Sequence, residues 1–233
     1  MCIRDRISST WCYSDVVRSY NQYCAVAKAL DVVGDRWTLL IARELLIGPC
    51  RYGELQQSLP GMASNLLASR LRNLEGAGVV VRDAESRYVL TPWGEHLAEP
   101  VQALARWGAP LMSVRKEGDA FRSQWLAAAV GVIFGGVDPG RPPFVAEIRA
   151  DGAPVTMESS QGRVQFRSGP ASAPNLVLSG PPDAIIGLLA GRLNQDEAEA
   201  LGVSILGDLH PLAEMRRADW LTGPEICQVE STS

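Results

Sequence analysis

The stretch from Arg51 to Leu90, RYGELQQSLPGMASNLLASRLRNLEGAGVVVRDAESRYVL, decides the fold. Tyr52, Leu55 and Leu59 space an apolar stripe along one short helix, and Pro60-Gly61 breaks the chain sharply after it. From Ala63 to Glu75, Leu67, Leu71 and Leu74 recur at i, i+4 and i+7 and share one face of a second helix. Gly76 and Gly78 then supply a helix stop. Val79-Val80-Val81 and Tyr88-Val89-Leu90 are β-rich runs around Asp83-Ala84-Glu85-Ser86, the pattern of a hairpin with a polar tip. Two helices, a tight turn between them and a ribbon, in that order, make a winged helix-turn-helix.

The second helix turns Ser64, Asn65, Ser69 and Arg72 away from its leucines, with no carboxylate until Glu75. Short hydrogen-bonding groups and a cation suit a helix laid in the major groove of double-stranded DNA. An ordinary solvated face would look the same on this helix alone, and the surrounding elements are what favour DNA. Arg70 falls at the flank of the buried face, where an ion pair with Glu44 or Glu75 competes with a DNA contact. Arg82 and Arg87 sit at the base and shoulder of the wing, within reach of phosphate or a minor groove, while Asp83 and Glu85 argue against that contact.

At 233 residues the chain favours two domains, and 46% hydrophobic content is enough for a core in each. The net charge of -4 gives no global basic signature, and from Tyr20 to Met112 nine Lys or Arg balance nine Asp or Glu. DNA binding would have to rest on local placement and on a dimer doubling the contacts. Five Cys without C-x-x-C spacing fit a reducing cytoplasm better than a disulfide framework or a zinc site. No apolar run reaches the length of a membrane span. Residues 1-17 have no sustained period and no apolar signal-peptide core, and are expected to be a disordered or non-native extension.

Upstream of the decisive stretch, Ala25, Ala29, Leu30 and Val33 form one helical stripe, and Trp37, Leu40, Ile41, Leu45 and Leu46 the next. Asp35 is a candidate N-cap for that second helix, and Trp37 reads as core. Downstream, Thr91-Pro92 opens a helix on which Leu97, Val101, Leu104, Trp107 and Leu111 form an uncovered stripe. His96 on it reads as a solvated or partner-facing residue rather than a metal ligand.

Several segments together resemble the HxlR-type winged-helix transcriptional regulators of bacteria. They are Cys24-Ala25-Val26, Ala29-Leu30-Asp31-Val32-Val33-Gly34-Asp35-Arg36-Trp37, Leu45-Leu46-Ile47-Gly48-Pro49, Tyr52-Gly53-Glu54-Leu55 and Leu66-Leu67-Ala68-Ser69-Arg70-Leu71. The similarity runs from about Tyr23 to Met112, with the D-x-x-G-D-R-W segment its most specific part. Where the family usually has Ser then Pro, this chain has Ala63 and Ser64, which moves the expected N-cap. The resemblance implies a homodimer built by the N-terminal helix and the helix after the wing, presenting two recognition helices to a pseudo-palindromic site. It also implies a redox candidate, Cys24, because some such regulators sense oxidants or electrophiles through an N-terminal Cys. Against that stands the ordinary behaviour of free Cys as a small buried hydrophobe, and Cys50 is the one nearby partner to consider.

The composition changes over residues 113-119, a polar linker. Phe121 to Phe134 reads as an apolar helix; Phe144 to Ile148, Val155 to Glu158, Val164 to Phe166 and Leu176 to Leu178 as strands of an antiparallel sheet, with turns at Asp151-Gly152 and Gln161-Gly162. Ala184 to Leu193 and Gln195 to Leu201 follow as helices, Val203 to Ile205 as a strand and Leu209 to Arg217 as a last helix, before a tail over residues 219-233. The class is therefore α+β, with a winged-helix and dimerisation domain at 18-112 and a second domain at 120-218. That second half resembles the sterol-carrier-like domain found in some HxlR-type regulators, through Asn175-Leu176-Val177-Leu178-Ser179-Gly180, Leu188-Leu189-Ala190-Gly191-Arg192-Leu193, Ala198 through Leu201 and Ile205-Leu206-Gly207-Asp208. The resemblance implies a tunnel for a small apolar ligand, lined by Trp125, Ile133, Phe134, Ile186, Leu189 and Met215; the same residues could equally fill a solid core.

Catalytic signatures are missing: His96 and His210 are far apart, with no H-E-x-x-H, G-x-S-x-G or G-x-x-x-x-G-K-[ST] pattern. Gly131 to Gly136 belongs to an apolar helix end, not a phosphate loop. No enzyme activity, cofactor or metal is expected. The function expected is cytoplasmic, sequence-specific transcription regulation, as a repressor, with an apolar ligand for the C-terminal half. The competing reading is a small-molecule carrier or sensor whose winged helix meets other proteins.

Overall fold

A computed structural model describes residues 19–113, 118–126, 134, 138–150 and 154–215. The chain divides into two compact units, one ending at Glu95 and one beginning at His96.

In the first unit the helices are α1 (Ala25–Val33), α2 (Thr38–Ile47), α3 (Tyr52–Ser58), α4 (Ser64–Gly76) and the short α5 (Pro92–Glu95), with strands β1 (Val80–Arg82) and β2 (Tyr88–Leu90). Its core is made where the sequence puts its periodic leucines. Leu67, Leu71 and Leu74 of α4 are buried, as are Ile41 and Leu45 of α2 and Leu55 and Leu59 around α3. The ribbon is antiparallel, with Val81 opposite Val89. Cys50 extends it: its N–H donates to the Tyr88 carbonyl at 3.1 Å and its carbonyl accepts from the Tyr88 N–H at 2.8 Å. The tip is shaped by Asp83, whose Oδ1 accepts from the Glu85 and Arg87 N–H groups at 2.9 Å each.

Two expectations are corrected here. Asp35 does not cap α2: Trp37 is the N-cap, in a left-handed conformation at φ 81°, and only half-buried. The helix after the wing is not continuous either, because α5 ends at Glu95 and α6 (Ala98–Gly108) starts afresh. Pro100 explains the break. In an unbroken helix its ring would press on the His96 carbonyl, whereas in the first turn of α6 its missing N–H costs nothing.

In the second unit, 3-10 turns at Ala109–Ser113 and Ser123–Trp125 precede a five-stranded sheet. Its strands are β3 (Phe144–Arg149), β4 (Val155–Ser160), β5 (Arg163–Ser168), β6 (Leu176–Ser179) and β7 (Ser204–Gly207), in the order β5-β4-β3-β6-β7. The helices are α7 (Pro182–Ala190), α8 (Gln195–Ala200) and α9 (His210–Met215). The sheet is mixed, not wholly antiparallel. β6 runs parallel to β3: the chain leaves β5 at one edge of the sheet, passes β4 and β3 and re-enters beside β3. Phe144, Ala146 and Ile148 of β3 form one core with Met157, Leu176, Leu178 and the buried Ala184, Ile185, Leu188 and Leu189 of α7. Gln161 and Gly162 both take positive φ in the two-residue β4–β5 turn. Gly207 sits at φ 113°, where a Cβ would run into the Asn175 carbonyl. The expected turn at Asp151-Gly152, most of the helix from Phe121 to Phe134, the N-terminal extension and the C-terminal tail lie outside the described residues.

Candidate nucleic-acid interface

The surface of α4 follows from its leucines. With one face buried, Ser64, Asn65, Arg72 and Asn73 are exposed and Ser69 is half-buried. The helix begins without a side-chain cap on Ala63 and without an acidic residue in its first turn. An uncapped helix start carries partial positive charge and free N–H groups, which favour an anion such as phosphate. Asn65 partly fills that role itself, its Oδ1 accepting from the Leu66 N–H at 2.8 Å. The Tyr52 hydroxyl donates to the Ser64 carbonyl at 2.7 Å and so holds the start of α3 against the start of α4.

The cations sort into two classes. Arg72 has no carboxylate partner among the described residues, and neither have Arg51 ahead of α3 and Arg36 in the α1–α2 turn, whose guanidinium lies 5.7 Å from the Trp37 ring centre. The others are held. Arg70 pairs with Asp35 at 2.8 Å, a partner the sequence reading did not consider, since Glu44 binds Arg43 and Glu75 binds Arg82. Arg87 is gripped by Asp83 at 2.8 Å and Glu85 at 3.4 Å, and hydrogen bonds to Arg87 are the first cause holding the Asp83 carboxyl below its ordinary range. Arg82 also donates to the Tyr88 hydroxyl at 2.6 Å. Arg70 and Arg87 therefore reach DNA only by giving up a carboxylate, which removes them from the front rank of contacts. Arg36, Arg51 and Asn73 are exposed polar residues of this unit that the sequence-based candidates did not include. The signal was available for Arg51, a cation one residue before a helix that abuts α4.

Cys24 is fully exposed at the N-cap of α1, and the backbone N–H groups of Ala27 and then Val26 lower its thiol pKa. Cys50 behaves oppositely. Burial, followed by the charges of Glu44 and Glu54, pushes its thiol up to about 11, and its Sγ lies 3.4 Å from the Gly48 carbonyl.

The expected tunnel residues separate in the second unit. Phe134, Leu189 and Met215 belong to the packed core, Ile186 lies at its margin, and Trp125 is half-buried. A cleft of about 630 Å³ opens beside α7, lined by Leu111, Phe121, Ile186, Leu193 and Leu201 among others, with Asp183 and Arg192 at hand. Ile186 is the one predicted residue that lines it, and Ile133 lies outside the described residues. Periodicity left both a tunnel wall and a solid filling open for these positions, because it cannot tell one from the other.

Two exposed apolar stripes remain. Tyr23, Val26 and Leu30 flank or lie on α1, and Leu104, Trp107 and Leu111 run along α6 and the turn after it. No residue of α6 is buried. Among the described residues no helix is long and apolar enough to cross a membrane.

Residues 32–116 match the model of the HxlR-like helix-turn-helix family. The HTH-type transcriptional regulator YvaP of Bacillus subtilis is 36% identical over 86 residues, which are 34% of this chain and 80% of that protein. A regulator of the same description from Mycobacterium tuberculosis is 41% identical over 90 residues, 36% of this chain and 56% of that one. Among solved structures, the quinone-bound YodB from B. subtilis is 32% identical, covering 36% of this chain and 94% of its own at a TM-score of 0.34. On the family match and the coverage of YvaP, the chain belongs to the HxlR-like helix-turn-helix family.

Proposed function

We propose that the protein is a cytoplasmic DNA-binding transcription regulator, acting as a repressor and as a homodimer. The observation that carries this reading is α4 itself: it buries Leu67, Leu71 and Leu74 and turns Asn65, Arg72 and Asn73 to solvent behind an uncapped start. A second copy covering the stripes of α1 and α6 would set two such helices for a two-fold site. Repression would follow from occupying that site. The cleft beside α7 is the place for a small apolar ligand, with Ile186 and Leu193 on its wall.

The test is selection of duplexes from a random pool by the full-length chain, followed by affinity against salt. The selected sequences should share two inverted half-sites about one helical turn apart. If Arg36, Arg51 and Arg72, which have no carboxylate partner among the described residues, each meet a phosphate in both protomers, six phosphates would be neutralised and log K should fall with log[salt] at a slope of roughly -5. Failure to enrich any sequence would remove the reading.

A second reading is favoured by the exposed Cys24 thiol, whose lowered pKa means thiolate is present at lower pH than for an ordinary cysteine. In alkylation followed by peptide mapping, Cys24 should react near neutral pH while Cys50, pushed up to about 11, stays unmodified. Mild peroxide should release DNA from wild type and not from Cys24→Ser. Equal release from both would dismiss a redox role.

A further inference from the structure

We propose that Asp35 is a positioning residue for DNA recognition: through Arg70 it sets the roll of α4 about its own axis. The proposal rests on α4 being the helix that meets DNA. At 100° per residue, Arg70 lies about 140° around α4 from Asn65, between the buried leucines and the exposed side. Leucine packing fixes which face of the helix turns inward, but apolar contact has no direction and so tolerates small rolls of that face. A charged tether on one flank supplies the missing constraint.

The tether is built at a cost that an idle surface pair would not carry. Arg70 is only 19% exposed, and its Nε is buried without a hydrogen-bond partner among the described residues, while its NH1 reaches Asp35 Oδ2 at 2.8 Å. Asp35 is held in turn by the Gly34–Trp37 turn, whose Trp37 backbone is at φ 81°. The far edge of that indole lies 3.8 Å from the position of a Cβ on Gly61, in the bend immediately before α4. One strained turn thus touches α4 at Arg70 and keeps its indole near the bend that leads into the helix.

Two alternatives make different predictions. Were Arg70 a phosphate contact, Arg70→Gln would lower the salt slope by about one per protomer. Were Asp35 merely a negative charge beside the interface, Asp35→Asn would tighten DNA binding. The positioning role requires Asp35→Asn to lower affinity for the selected duplex by about fivefold, the order a partly exposed ion pair can carry, without lowering affinity for a scrambled duplex. The salt slope should be unchanged in Arg70→Gln, and the double variant should be no worse than either single change, since the two groups act as one.

The experiment is fluorescence anisotropy of the full-length wild type, Asp35→Asn, Arg70→Gln and the double variant on both duplexes over a salt series, with circular dichroism melts on each. Asp35 is 58% exposed, so its isosteric amide is expected to fold, and Arg70→Lys, which keeps the charge but loses the planar fork, is a second probe expected to weaken specific binding. Unchanged or tighter specific binding by Asp35→Asn, additive losses, or a lowered slope in Arg70→Gln each overturn the inference while leaving DNA binding intact. A wild type that binds neither duplex overturns the DNA-binding reading and this inference with it.

Discussion

Arg72→Ala is expected to weaken binding to the selected duplex by roughly 1–3 kcal/mol for each recognition helix, between about 5-fold and 150-fold per half-site. The guanidinium is exposed and has no carboxylate partner among the described residues, so its removal takes nothing from the fold and the melting temperature should not move. Its mode of contact can be separated by two readouts. A base contact would relax sequence preference at one position of each half-site. A phosphate contact would weaken every sequence alike and reduce the salt slope by about one per protomer. Unchanged affinity would strike Arg72 from the interface. The contrast with Arg87→Ala is informative, since Arg87 is already gripped by Asp83 and Glu85 and its loss should act mainly on the wing turn.

Leu71→Ala should cost about 2–5 kcal/mol of stability in the winged-helix unit, because the side chain is 1% exposed and truncation leaves a cavity that its neighbours only partly fill. Domains are stable by only about 5–15 kcal/mol, so this is a large share of the total. Urea unfolding of wild type and variant, followed by far-ultraviolet circular dichroism, reads it. DNA binding should then be lost in step with the folded fraction, in contrast to Arg72→Ala. A loss below about 1 kcal/mol would mean that the leucine face of α4 is not the anchor the packing indicates.

Much of this was legible in the chain because it rests on local period. The i, i+4, i+7 leucines of α4, the β-rich runs of the wing and the alternating runs of the second unit all became the elements their spacing implied. Gln161-Gly162 marked its hairpin because its turn needs positive φ at both positions. Pro100 also carried readable information, and its clash with the His96 carbonyl explains why the helix after the wing comes in two pieces. By contrast, the parallel pairing of β6 with β3 left no mark on either strand. A short apolar run such as Leu176-Val177-Leu178 is compatible with either direction.

The candidate site divides along the same line. That α4 offers a small polar side follows from which residues its leucines leave over, and the order of amino acids settles this without reference to any distant part of the chain. Which cations remain free on that side does not follow from order, because charges pair across turns. Asp35 stands far from Arg70 in sequence yet meets it at 2.8 Å, and the arginines of the wing are neutralised by carboxylates of the same ribbon or of α4. The lining of the cleft was equally a tertiary matter: Phe134, Leu189 and Met215 have the composition of a tunnel wall but pack solidly. Periodicity reports which face of an element is apolar. Only folding in three dimensions decides what that face meets, and whether a charge finds a partner before it finds a ligand.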